Sequence, residues 1–205
     1  MRRAAKTVVA ASGAALAGLA GFGGVPAASQ SVSRVYTRFD SDKCKHIQGR
    51  AVEDYGRWRC PGYGGLDIYL SASDQRMQVS FGPNAARELA ASETFPRFNS
   101  AYRGTVEWRV ETPAGGKPRP FATILRWNVK LEDDQRDTSG RVLVVTRLGP
   151  GGVCHVGYVD ARANPNANEL AQQLANDKAR SFKCGADKPV AAGKVSPGLF
   201  MPKAD

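Results

Sequence analysis

Four cysteines and two histidines are the side chains here whose types could support metal, redox or nucleophilic chemistry: Cys44, Cys60, Cys154 and Cys184, with His46 and His155. Thiolate and imidazole are zinc's usual ligands, and Cys44 and His46 could join Cys154 and His155 around one ion. The spacing argues against it. The sequence holds no Cys-x-x-Cys pair and no His-x-x-x-His pair, so neither a metal nor another cofactor is expected.

A cysteine nucleophile would need a base in reach and a third group to orient that base. Cys154 and His155 are adjacent, but neighbours on a strand point to opposite faces and cannot pair directly. An even set of cysteines in an exported chain instead implies disulfides. Of the three possible pairings, Cys44 with Cys60 and Cys154 with Cys184 is favoured, because each pair brackets one local supersecondary unit. On loop entropy the bridges would contribute roughly 3 and 3.5 kcal/mol.

Carboxylate chemistry leaves no spacing signature, since an acid and a base for glycoside hydrolysis meet only in space. Asp67, Glu107, Glu111 and Asp160 are the carboxylates read as its candidates. There is no Gly-x-Ser-x-Gly elbow, no phosphate loop and no dinucleotide fingerprint. Glu132, Asp133, Asp134 and Asp137 form an acidic turn, but without the central Gly and terminal Glu of a calcium loop.

For binding, the first half offers Trp58, Tyr63 and Tyr69 near Arg57, Arg59 and Arg76. Aromatic planes with cationic neighbours can stack on sugars or bases and meet anionic groups. The competing expectation is that these aromatics pack in the core and leave the arginines solvated.

The first residues set the compartment. Met1-Arg2-Arg3 with Lys6 is a basic n-region, residues 7–22 are rich in Ala, Gly and Leu, and Val25-Pro26-Ala27 offers small residues for cleavage, so 1–27 reads as a signal peptide. That stretch is short and weakly apolar for a membrane span, and no other long apolar run follows. Arg2-Arg3 hints at the twin-arginine route, yet the rest of that motif is missing, which favours general secretion. Cleavage would take 29 basic residues to 26 against 19 acidic ones, so the net charge falls from +10 to +7. A basic domain in the periplasm or outside the cell suits an anionic envelope polymer or a protein partner, and the export leader disfavours nucleic acid.

The elements that must position these residues are short strands and one late helix. Residues 28–34 read as a flexible lead-in and 35–187 as one domain. Residues 35–39, the pair 66–71 and 76–81, the alternating 104–112, its partner from Phe121 to Trp127, and the pair 141–148 and 153–160 read as strands. In 104–112 the alternation puts Val106, Trp108 and Val110 inward and Glu107, Arg109 and Glu111 outward. Residues 85–91 suggest a short helix, and 92–103 an ordered loop. Asn164-Pro165 or Asn166 with Glu169 starts a helix reaching Phe182, with Leu170, Ala171, Leu174, Ala175, Ala179 and Phe182 on one stripe. Residues 83–90 echo 165–171, each after a hairpin; a faded duplication of a hairpin-helix unit is one reading, and coincidence of common helix-start chemistry is the favoured one.

Pro and Gly punctuate residues 188–205, which predicts a disordered tail. The expected fold is α+β: an antiparallel sheet of about five to eight strands, hairpin-rich, with the helix on one face and disulfide staples. The functional expectation is an exported, non-catalytic binding module; the alternative is a small secreted hydrolase with a carboxylate site.

Overall fold

The computed structural model describes residues 31–50, 55–131, 139–199 and 201–202. The leader at 1–27 and the acidic residues 132–137 lie outside them. The alternating segments form β1 (Ser31–Asp40), β4 (Asp67–Ser73), β5 (Arg76–Phe81), β7 (Arg103–Thr112), β8 (Arg119–Lys130), β9 (Ser139–Arg147) and β10 (Cys154–Asp160). Four further strands were not apparent from the sequence: β2 (Lys45–Arg50), β3 (Tyr55–Pro61), β6 (Asn99–Ser100) and β11 (Val190–Ala191). The single α-helix of the described residues is α1 (Ala167–Lys178).

These strands form two sheets rather than one. The larger runs β1-β7-β8-β9-β10-β11 with β6 also on β8, and the smaller runs β2-β3-β4-β5. Every pairing is antiparallel except β10 with β11. The β4–β5 hairpin turns on Asp74 and Gln75, both left-handed at φ +50° and +57°, which matches the twist of the strands it joins. The architecture is thus α+β, stapled by Cys44–Cys60 and Cys154–Cys184.

The large sheet is the middle of three layers. On one face it meets the small sheet across a core in which Trp108 and Trp127 are each at most 1% exposed, beside Ile68, Leu70, Val79 and Phe81. Phe81 meets Trp108 edge-on at 5.5 Å and Phe95 tilts against Trp127 at 5.6 Å, geometries that suit the ring quadrupoles. On the other face Ala171, Leu174, Ala175, Ala179 and Phe182 bury the apolar stripe of α1 and the turns after it against Ile124, Leu143, Val145, Val156 and Val159.

That second layer overturns one expectation. Glu107, Arg109 and Glu111 were to face solvent, but α1 overlies that face of β7 and they are 8%, 7% and 3% exposed. Their charges are matched instead of hydrated. Arg109 donates to Glu107 Oε1 (3.0 Å) and Asn176 Oδ1 (3.1 Å), and Gln172 donates to Glu107 Oε2 (3.1 Å). Arg119 and Arg180 donate to the two oxygens of Glu111 at 2.8 and 2.6 Å.

Two other segments depart from expectation. Residues 85–91 form two 3-10 turns, Ala85–Arg87 and Leu89–Ala91, rather than a helix like α1, so the echo of 165–171 does not extend to structure. The lead-in enters β1 at Ser31, and residues 188–199 are tied down. A Cβ at Gly157 would collide with the Val190 carbonyl oxygen, so glycine there admits β11 against β10. Asn164 then brackets the Lys194 peptide, accepting from its N–H (2.9 Å) and donating to its carbonyl (2.7 Å), and Asp160 accepts from the Ser196 N–H (2.8 Å). Composition predicted disorder because these partners lie 30 or more residues away.

Candidate functional site

The outer edge of β10 begins with N–H groups that no strand covers. Segment 88–93 covers them. Val153 N–H donates to Glu88 Oε2 (2.9 Å), His155 N–H to Glu93 Oε2 (2.7 Å), and Ala90 N–H to the Val153 carbonyl (3.0 Å). Two carboxylates thus satisfy backbone donors that an edge strand leaves open. The next residues are pinned to the small sheet: Thr94 donates to the Met77 carbonyl (2.6 Å), while buried Asn99 accepts from Met77 N–H (3.0 Å) and donates to Thr94 (3.1 Å).

The opposite wall comes from the chain after α1. Arg147, 7% exposed, donates to the Ala179 carbonyl and to those of Pro150, Gly151 and Gly152, holding the end of the helix against the β9–β10 turn. The Cys154–Cys184 bridge fixes the same two elements covalently. Gly185, at φ +79°, then reverses the chain, and Asp187 Oδ2 accepts from Lys183 N–H (2.8 Å).

Between the walls lies a cleft of about 340 Å³, lined by Leu89, Glu93, His155, Tyr158, Phe182 and Asp187 among others. His155 is fully buried; its Nδ1 shares a hydrogen bond with the Tyr158 hydroxyl (3.1 Å) and lies 4.0 Å from Glu93 Oε2. Its Nε2 has no partner among the described residues. Trp127 and Tyr158 meet the imidazole edge-on at 6.0 and 5.6 Å.

Burial sets the charges in this cleft. It pushes the Glu93 carboxyl up to about 7, against the smaller pull of the His155 N–H. It pulls the His155 imidazole down to about 3, so the ring is neutral at any ordinary pH and is no counter-ion for Glu93. Burial, and then the nearby Glu93, raise the Tyr158 hydroxyl above its ordinary value. Glu93 therefore changes charge near neutrality beside two uncharged groups, His155 and Tyr158. Such a group is able to take or give a proton, or to anchor a donor.

The residues expected from sequence to bind lie elsewhere. Tyr69 is 6% exposed, and Trp58 is half-buried against the core, opposite Leu70. Tyr63 is half-buried with its ring 6.2 Å from Trp108. Arg57 donates to Gln48 (2.9 Å), Arg59 lies 3.4 Å from Asp67, and Arg76 lies 3.0 Å from Asp74 at the hairpin end. Register sets Arg59 beside Tyr69, but Arg76 is at the far end of the sheet, so the six do not share one platform. Trp58 instead meets His46 at 5.6 Å and Tyr102 at 6.3 Å.

The expected carboxylates are also apart and already engaged. Asp67 faces Arg59, Glu107 and Glu111 lie under α1, and Asp160 accepts from the N–H groups of Arg162 (2.8 Å), Ala163 (3.3 Å) and Ser196. Glu93 went unmarked in the sequence because Ser92-Glu93-Thr94 is an ordinary polar triplet; the one signal nearby was Cys154-His155. A second, more open groove of about 550 Å³ flanks Cys44–Cys60, with Arg38, Lys43 and Arg103 on its walls. Arg103 there is bound to Asp40 and Asp42.

Among the described residues no three His, Cys, Asp or Glu side chains converge as metal ligands, and no helix is long and apolar enough to cross a membrane. No family model, curated protein or solved structure matches the chain.

Proposed function

We propose that this chain is an exported, disulfide-stapled binding domain and that the cleft between segments 88–93 and 182–189 receives a small ligand. Glu93 carries the reading. One of its oxygens is fixed by His155 N–H, the other has no partner among the described residues, and its side chain keeps 19% exposure in a partly apolar cleft. A few polar groups set into a concave, partly apolar site are what orient a bound molecule. Export is supported by the leader-like first residues and by both cysteine pairs being bridged. The compartment is then the periplasm or the exterior.

Binding is preferred to catalysis because Asp67, Glu107, Glu111 and Asp160 are each held by arginines or backbone donors. A carboxylate held by two arginines stays ionised and is a poor acid. The second reading is a hydrolase with Glu93 as general acid, and the elevation of its carboxyl to about 7 favours it.

Titration of isotopically labelled protein with a panel of small amines, alcohols and carboxylates tests the first reading. We expect at least one member to shift the amides of Glu93, His155 and Gly185, and Leu89→Trp, which narrows the mouth, to abolish the shift. Shifts confined to other surfaces would overturn it. Turnover of a chromogenic glycoside that disappears in Glu93→Gln would establish the hydrolase instead.

A further inference from the structure

We infer that the cleft selects a ligand carrying a protonated primary amine on a short apolar body, with the ammonium against Glu93 and the body between Leu89, Phe182 and Pro189. The inference rests on the reading of the cleft as a binding site and names what it takes.

Titratable groups from two elements face Glu93. From β10 come His155 and Tyr158, both uncharged near neutral pH; from the turn before β11 come Asp187 and Lys188. Neither an arginine nor a lysine forms an ion pair with Glu93 among the described residues. The free Glu93 oxygen is an acceptor, and the hydroxyls of Ser92 and Tyr158 on the same wall each retain acceptor capacity.

A buried carboxyl without a cation stays protonated or waits for one. An ammonium group brings three donors and one positive charge, which suits an acceptor-rich wall with an unmatched acid. Asp187 and Lys188 line the same cleft with opposite charges, so the preference for a cation rests on Glu93. The lining also offers hydrocarbon: Leu89, 42% exposed, with Phe182, Pro189 and Pro202. A metal ion fits poorly, because among the described residues no three His, Cys, Asp or Glu side chains converge there as ligands.

Pairing with a cation requires Glu93 to be ionised, so binding releases its proton. Affinity should rise about tenfold per pH unit from pH 5 toward 7 and level off above pH 8, where the carboxyl is ionised before the ligand arrives.

Butylamine, 1-butanol and butyrate, matched in apolar body, are titrated into the labelled protein while the Glu93 carboxyl carbon and the cleft amides are followed by NMR. The expected result is that butylammonium alone ionises Glu93, with that pH dependence, and binds at least tenfold more weakly to Glu93→Gln, which can still accept the His155 N–H. If butanol or butyrate binds in the cleft as tightly as butylammonium, or Glu93→Gln keeps its affinity, the amine assignment falls while the cleft remains a binding site. If no probe perturbs the cleft, both fall.

Discussion

Glu93 Oε2 accepts the His155 backbone N–H at 2.7 Å while lying 4.0 Å from Nδ1 of the same residue, so one burial event moves two titrations in opposite senses. Glu93 is raised from 4.5 to about 7, and the folded state holds its proton more tightly than the unfolded state. Its contribution is complete below pH 4.5 and is lost as pH rises through 7. His155 is lowered from 6.5 to about 3, so the unfolded state holds that proton more tightly, and stability is lost as pH falls through this window. Between pH 4.5 and 6.5 the two slopes cancel.

Glu93→Gln removes one of them. Its stability should therefore climb with pH between 4.5 and 6.5 by about 1.4 kcal/mol per unit, where the parent protein is nearly flat from this pair. Urea midpoints at four pH values read the difference. Parallel curves for parent and variant would show that the two groups are not buried as the structure has them.

The Cys154–Cys184 bridge closes a loop of 30 residues and joins the end of the α1 segment to β10 at the floor of the cleft. Replacing both cysteines by alanine should cost about 3.5 kcal/mol and loosen the cleft with it. Replacing Cys44 and Cys60, which close a loop of 16 residues in the small sheet, should cost about 3 kcal/mol but leave cleft binding intact. Denaturant titration with ligand titration on each double variant separates the cases; equal loss of binding in both would contradict the local role assigned to the first bridge.

Much of the fold could be read because its causes are local. The β7 alternation gave the inner face correctly, and the cysteine pairing followed from each pair bracketing one unit. The outer face of β7 could not be read, because whether Glu107 and Glu111 meet water depends on α1, more than 60 residues on. The strands β2 and β3 stayed hidden because Lys45, Gln48, Arg57 and Arg59 break the apolar rhythm; their pairing and the Cys44–Cys60 bridge hold them. Glu93 was invisible for the same kind of reason: its raised carboxyl comes from burial against a strand that begins some 60 residues further on, where His155 lies.

Arg180 lies with its guanidinium carbon 3.7 Å from the centre of the Phe121 ring while donating to Glu111 at 2.6 Å. Burial pushes the Glu111 carboxyl up, but hydrogen bonds from Arg180 and then Arg119 outweigh it, and the net shift is downward. Glu111 thus contributes stability above its unfolded value near 4.5, lost as pH falls through the folded value. Arg180→Ala should cost about 1–3 kcal/mol at pH 7, with a smaller loss near pH 3. Arg180→Lys should not restore the parent, because an ammonium cannot both stack on the ring and present a planar donor fork. A lysine variant that melts with the parent would reduce the contact to simple charge.

The segment after Cys184 walls the cleft, and its short strand can approach β10 only because residue 157 is glycine. Gly157→Ala would drive a methyl group into the Val190 carbonyl and the Leu174 side chain, at about 1–3 kcal/mol for overpacking. The cheapest relief is for β11 to lift from β10, since that pairing involves only Gly157 with Val190 and Tyr158 with Ala191. Hydrogen exchange should then accelerate at least tenfold at Ala192, Lys194 and Ser196, whose N–H groups bond Tyr158, Asn164 and Asp160, while Val144 in β9 keeps its protection. Asn164→Ala should accelerate Lys194 without introducing a clash. Because Lys188 and Pro189 line the cleft, a lifted segment also weakens whatever binds beside Glu93. Unchanged protection in Gly157→Ala would mean that the close approach of β11 is not what holds this wall in place.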